Sequence, residues 1–210
     1  MTVLDYARLA ATPVTTDPFP HVVVPRFVPA TALETVVAAL PELDRRGSFP
    51  TTSLRLGRAA ASLIQELEGP ALRLAIAQKF ALDLDEAPTM LTLRGACTER
   101  DGHIHRDSRA KRVTVLLYLN PATAAWARHE GCLRLLRQPN DLEDFAVEVP
   151  PTDGTLLVFP NGETSWHGHK TFIGRRYVVQ LNYMQTDAAA RSELRRHRVS
   201  AFVKRLTLAA

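Results

Sequence analysis

Two cysteines in 210 residues, Cys97 and Cys132, are too few and too far apart to staple a small scaffold, so a reducing cytoplasm is the expected setting. No apolar run approaches the roughly 18 residues a bilayer-crossing helix needs. The opening "MTVLDYARLAATPV" lacks a basic stretch followed by an apolar core, so neither a membrane anchor nor a secretory leader is expected. Internal repeats and low-complexity linkers are missing too. Aromatic residues make up only 7%, and no basic stripe interleaved with aromatics crosses the β-rich part, so nucleic acid is not an expected partner. The formal charge of +4 is mild, and its excess gathers in "RSELRRHRVSAFVKRL", which reads as a solvated helix face.

What remains is an ordinary globular composition, 46% hydrophobic and 23% charged, long enough for one sizeable domain. "HVVV" reads as an early strand bounded by prolines. An N-cap near Thr31 opens a helix over "TALETVVAAL", which Pro41 stops. Helical periodicity then runs through "GRAAASLIQELEGPALRLAIAQKFAL", with a break expected at Gly69-Pro70. After Pro88 the texture changes. "TMLTLRGA", "HIHRD", "RVTVLLYLN", "GCLRLLR", "FAVEVP", "GTLLVFP", "TSWHGH" and "RRYVVQLNYM" are short β-rich runs separated by turn residues. About eight such runs point to a sandwich or barrel rather than to a parallel sheet. The expectation is a single domain over 1–210, mainly β with helical cover. Residues 1–90 form mostly helical support with one early strand. Residues 91–184 form a jelly roll, or double-stranded β-helix, and residues 185–210 a C-terminal helix.

"GHIHRDS" places His103, His105 and Asp107 on alternate positions, and on a strand such positions share a face. Neutral imidazole with carboxylate suits a borderline divalent metal such as Fe(II), Mn(II) or Zn(II). Taken alone, the tripeptide fits a polar strand end as well as a metal site. Downstream, "TLLVF" leads through a turn to "SWHGH", where His167 would close a 2-His-1-carboxylate face. Arg176 follows nine residues later. Alternation in "RRYVVQLNY" puts Arg176, Val178, Gln180 and Asn182 on one side, and the apolar alternates suit packing under helices. Arg176 therefore faces inward, where a guanidinium fork can grip a carboxylate. The same alternation groups Thr114, Leu116 and Tyr118.

Together, "HIHRDS", "RVTVLLYLN", "EGCLRLL", "PPTDGTLLVFP", "SWHG" and "GRRYVVQLNY" resemble the iron(II)- and 2-oxoglutarate-dependent dioxygenases, in particular their prolyl-hydroxylase-like branch. "DPFPHVVVPRFVP" looks like the usual opening of bacterial members. The resemblance implies an oxidoreductase that uses Fe(II), 2-oxoglutarate and O2 to hydroxylate an unactivated carbon, with release of succinate and CO2. It implies His105, Asp107 and His167 as metal ligands, leaving His103 outside the triad and preferring His167 to His169. It further implies Arg176 and Tyr118 as cosubstrate contacts, with Thr114 behind them. Two departures stand out. Cys132 replaces the second glycine of the family's usual pair, and Arg94 stands where members often carry tyrosine. Arg94 reads either as a surface residue on a strand edge or as an inward group that favours an acidic substrate or a second carboxylate contact.

His103, Arg106, Trp166, His169, Arg94 and Asn182 are the candidates for the substrate side of the metal. The substrate class stays open among amino acids, peptidyl side chains and small metabolites. Two other readings compete. A cupin-type metalloprotein would use His103 and His105 with a later histidine, but the glutamate expected after H-x-H is replaced by "RDSRAK". A non-catalytic binding module on the same fold is the other.

Overall fold

A computed structural model describes residues 2–123, 126–188, 190–196 and 199. Its helical section begins with α1 (Tyr6–Ala11), capped by the Asp5 side chain, which accepts the Arg8 backbone N–H at 2.9 Å. α2 spans Ala30–Ala38, starting just before the expected cap. α3 (Arg58–Leu67) and α4 (Pro70–Phe80) are separate helices. The break falls where the sequence puts it: Gly69 supplies an extended N-cap, and Pro70 opens α4 at the position where a missing N–H costs nothing. Ala60, Leu63, Ile64 and Leu67 of α3 are buried, an i, i+3, i+4, i+7 stripe facing the core.

The strands are β1 (Val22–Val24), β2 (Phe49–Pro50), β3 (Thr89–Cys97), β4 (Lys111–Tyr118), β5 (Leu133–Leu136), β6 (Phe145–Val149), β7 (Leu156–Pro160), β8 (His167–Gly168) and β9 (Gly174–Met184). Six form a sheet in the order β1-β7-β4-β9-β3-β2, and three form a second in the order β6-β5-β8. The pairings between these strands are antiparallel. The result is the expected mainly β jelly roll with helices on one side.

Alternation divides the core in two. Val113, Val115 and Leu117 of β4, with Val179, Leu181 and Tyr183 of β9, point to the helices and meet Leu63, Leu67, Leu72 and Ile76. Leu116, Tyr118 and Val178 point the other way and pack with Leu133, Leu135, Val149, Leu157 and Phe159 between the sheets. Burying each such side chain stabilises the fold by about 1.5–3 kcal/mol, which is why a one-residue slip of β4 or β9 would exchange the two cores.

Three elements differ from the expectations. α1 and the two-residue β2 are additional, too short to leave a period in the sequence. "HIHRD" is not a strand. Only His105 pairs, in an isolated bridge to His167, because its neighbour β8 is just two residues long. The expected C-terminal helix lies mostly outside the described residues, although 188 and 190–196 are helical.

Candidate metal centre

His105 and His167 are brought together by backbone. The His105 N–H donates to His167 O at 2.9 Å and the His167 N–H donates to His105 O at 3.0 Å, a reciprocal pair closing two distant segments. The imidazole centroids lie 4.4 Å apart. Asp107 joins them, and one donor atom from each of the three lies within 4.8 Å of the others.

Ring tautomers follow from the neighbours. His105 Nδ1 lies 2.9 Å from His103 O, and His167 Nδ1 lies 2.9 Å from Ser165 O. A carbonyl only accepts, so both Nδ1 atoms carry the proton and both Nε2 lone pairs stay free for a ligand. Burial pushes the His167 pKa down to about 4, against the pull of Asp107, so the ring is neutral at physiological pH. Burial alone would raise the Asp107 pKa. Lys111, His167 and Thr114 outweigh it and hold the carboxyl below its ordinary value. Lys111 Nζ donates to Asp107 Oδ1 at 2.6 Å and Thr114 Oγ1 to Oδ2 at 2.5 Å. Two imidazoles presenting Nε2 and an ionised carboxylate are a donor set suited to Fe(II).

A cavity opens from this cluster towards Tyr118, His169 and Arg176. The Arg176 side chain is buried, at 6% exposure, and its Nε donates to Gly131 O at 2.8 Å. No carboxylate pairs with it among the described residues. Its guanidinium sits 5.3 Å from the Tyr118 ring centroid, and Tyr118 Oη is buried without a hydrogen-bond partner. Burial raises the Tyr118 pKa to about 12 despite the Arg176 charge, so the phenol is a donor. A buried guanidinium with no acidic partner among the described residues, beside a buried phenol, is a costly arrangement that an incoming carboxylate would relieve. The residues fit 2-oxoglutarate.

The other candidates are dispersed. Thr114 lines the cavity, but its hydroxyl proton goes to Asp107. Arg94 also lines the cavity and pairs with Asp101 at 3.0 Å; β3 lies inside the sheet between β9 and β2, so the strand-edge reading of Arg94 is corrected. His169 is buried in the wall, with Nδ1 2.8 Å from Lys170 O. Arg106 and Trp166 lie in an adjoining groove of about 700 Å³, stacked with the guanidinium carbon 4.7 Å from the ring centroid. That groove shares His105 and Asp107 with the cavity, so the cluster forms the wall between them. Asn182 is buried and lines a third hollow. His103 is exposed and lines neither the cavity nor the groove.

Sequence reasoning missed Lys111, Asp101 and Asn120. Asn120 receives the Tyr177 N–H at 2.7 Å and donates to Tyr177 O at 3.0 Å, tying β4 to the strand that carries Arg176. Lys111 stands four residues after Asp107, a spacing that signals contact only on a helix.

Residues 94–184 match the family described as the 2OG-Fe(II) oxygenase superfamily. No curated protein matches the chain. Among solved structures, the fold is similar to a prolyl-4-hydroxylase of Pseudomonas putida, at 19% identity and a TM-score of 0.55, covering 86% of this chain and 91% of that one. A prolyl hydroxylase of Trichoplax adhaerens, solved with a peptide fragment of the hypoxia inducible factor oxygen degradation domain, aligns at 19% identity and a TM-score of 0.54, covering 89% of each chain. HygX of Streptomyces hygroscopicus, with nickel and 2-oxoglutarate bound, aligns at 15% identity and a TM-score of 0.52, covering 81% of this chain and 88% of that one.

Proposed function

From the match of residues 94–184 to the 2OG-Fe(II) oxygenase superfamily we propose that the chain is a member and that its own residues divide the work as follows. It is a 2-oxoglutarate-dependent dioxygenase with Fe(II) as its metal. Iron held by His105, Asp107 and His167 would supply the oxidising chemistry, in which one atom of O2 goes to succinate as 2-oxoglutarate loses CO2 and the other to the hydroxyl group of a second substrate. The protein contributes position and a dry pocket. Nδ1 bonds to backbone carbonyls orient both imidazoles with Nε2 free. Thr114 orients the carboxylate. Arg176 and the Tyr118 hydroxyl receive the far carboxylate of 2-oxoglutarate, and apolar Leu116, Leu133 and Val178 keep water from competing there.

The observation that carries this reading is Arg176: a buried guanidinium with no acidic partner among the described residues, in the same cavity as the His-Asp-His cluster. A like-folded protein that holds nickel with 2-oxoglutarate agrees with it. The groove beside His105 and Asp107, with the Arg106–Trp166 stack on its wall, is the approach for the hydroxylated molecule. Amino acids, peptidyl side chains and small metabolites are the classes to screen; the peptide complex among the like-folded hydroxylases favours testing peptides early.

Replacing Arg176 by Met removes the carboxylate partner and leaves the metal cluster intact. The 2-oxoglutarate concentration giving half-maximal succinate release should rise about 100-fold, the scale of losing one side of a buried charge pair. Mn(II) binding should be nearly unchanged. An apparent constant that barely moves would sink the assignment of Arg176. Asp107→Ala should abolish succinate release and weaken Mn(II) binding; near-normal release would remove Asp107 from the cluster.

A further inference from the structure

Lys111 is unused by the reading above, yet it makes the closest charged contact in the cluster. Its Nζ lies 2.6 Å from Asp107 Oδ1, with side-chain exposures of 13% and 5% for the two partners. Thr114 takes the other oxygen. The two contacts differ in kind. A hydroxyl donor carries no net charge and tolerates a cation on the carboxylate's remaining lone pairs. An ammonium is itself a cation, and in a poorly solvated site it opposes any divalent ion approaching the same carboxylate. Lys111 and the metal therefore compete for one negative charge.

The surroundings leave Lys111 somewhere to go. It opens β4, where a flexible four-carbon stem can swing about a fixed backbone. It lines both the 700 Å³ groove beside His105 and a neighbouring hollow of 320 Å³ that carries Glu193. His105 and His167 offer no such competition, since each keeps its Nε2 free.

We infer that Lys111 is an internal counter-ion of the metal-free site, which tunes metal affinity downward and is released into the groove when the ion binds. This rests on Asp107 being a metal ligand, as proposed above. Removing the ammonium should therefore strengthen metal binding, the opposite of what loss of a supporting residue would do.

Mn(II) titration of Lys111→Met, followed by the metal's paramagnetic resonance signal, should give a dissociation constant about tenfold or more below that of the unaltered protein. Lys111→Arg, which keeps the charge, should stay near the unaltered value. A second measurement needs no folded variant: acetic anhydride labelling of the unaltered protein, read by peptide mass spectrometry, should modify Lys111 more when Mn(II) is present than after chelation. Equal or weaker binding in folded Lys111→Met, or labelling indifferent to Mn(II), would overturn the inference. Asp107→Ala separates the two levels. If it binds Mn(II) as well as the unaltered protein, the ligand assignment itself fails; if it loses binding and labels Lys111 without metal, the assignment stands and the counter-ion role with it.

Discussion

His169 shows how one buried side chain can couple this site to pH. Burial, reinforced by the nearby Arg176 and Arg94 charges, lowers its pKa from 6.5 to about 4, so the folded chain holds it neutral. In the unfolded chain the same imidazole takes up a proton below about 6.5. The stability it contributes is therefore complete above pH 6.5 and is lost as pH falls towards 4. A shift of that size corresponds to roughly 3 kcal/mol over the whole window. His167 shifts in the same direction and acts in the same window. For metal-free protein, urea midpoints at pH 7 and pH 4.5 should differ less in His169→Asn than in the unaltered chain. Equal differences would show that His169 is not held neutral by the fold.

At the scale of elements, the cluster depends on how residues 102–107 lie against β8. Gly102 takes a φ of +95°, and its carbonyl accepts the His169 N–H at 2.9 Å. A Cβ there would run into His169 O and the His169 ring, in a backbone conformation that side chains rarely adopt. Gly102→Ala should cost about 2–4 kcal/mol. It should also weaken Mn(II) binding, because His105 loses its fixed seat against His167; thermal unfolding and metal titration check the two effects. This segment also marks where the sequence was readable and where it was not. Alternation correctly divided β4 and β9 into helix-facing and cavity-facing sides, since a two-residue period is written in consecutive letters. His105, Asp107 and His167, which the family resemblance singled out, do come together. What failed was the strand assumed for "HIHRD". Its shape comes from a turn at Gly102 and a two-residue partner far along the chain. Partnerships across the fold were equally silent: nothing local tells that Lys111 meets Asp107, or that Tyr118 Oη ends unpaired. α1 and β2 were too short to carry a period.

Across the whole molecule, the cluster is carried by a scaffold that does not need an ion. Two apolar cores and the antiparallel pairings hold β4, β8 and β9 in place, and backbone hydrogen bonds seat His105 on His167. Chelation should therefore leave the far-ultraviolet circular dichroism spectrum unchanged while abolishing succinate release, and added Fe(II) should restore the release. Loss of helical and strand signal on chelation would contradict this, since it would make metal binding a folding step. The helical section and the cavity meet at one carboxylate. Asp101 Oδ1 receives Arg94 Nη2 at 3.0 Å from the cavity wall and Arg46 Nε at 3.1 Å from the connection ahead of β2. That shared acid ties the cavity wall to position 46, which borders no part of the pocket. The far side of the cosubstrate cavity is thus fastened to a stretch of chain outside it.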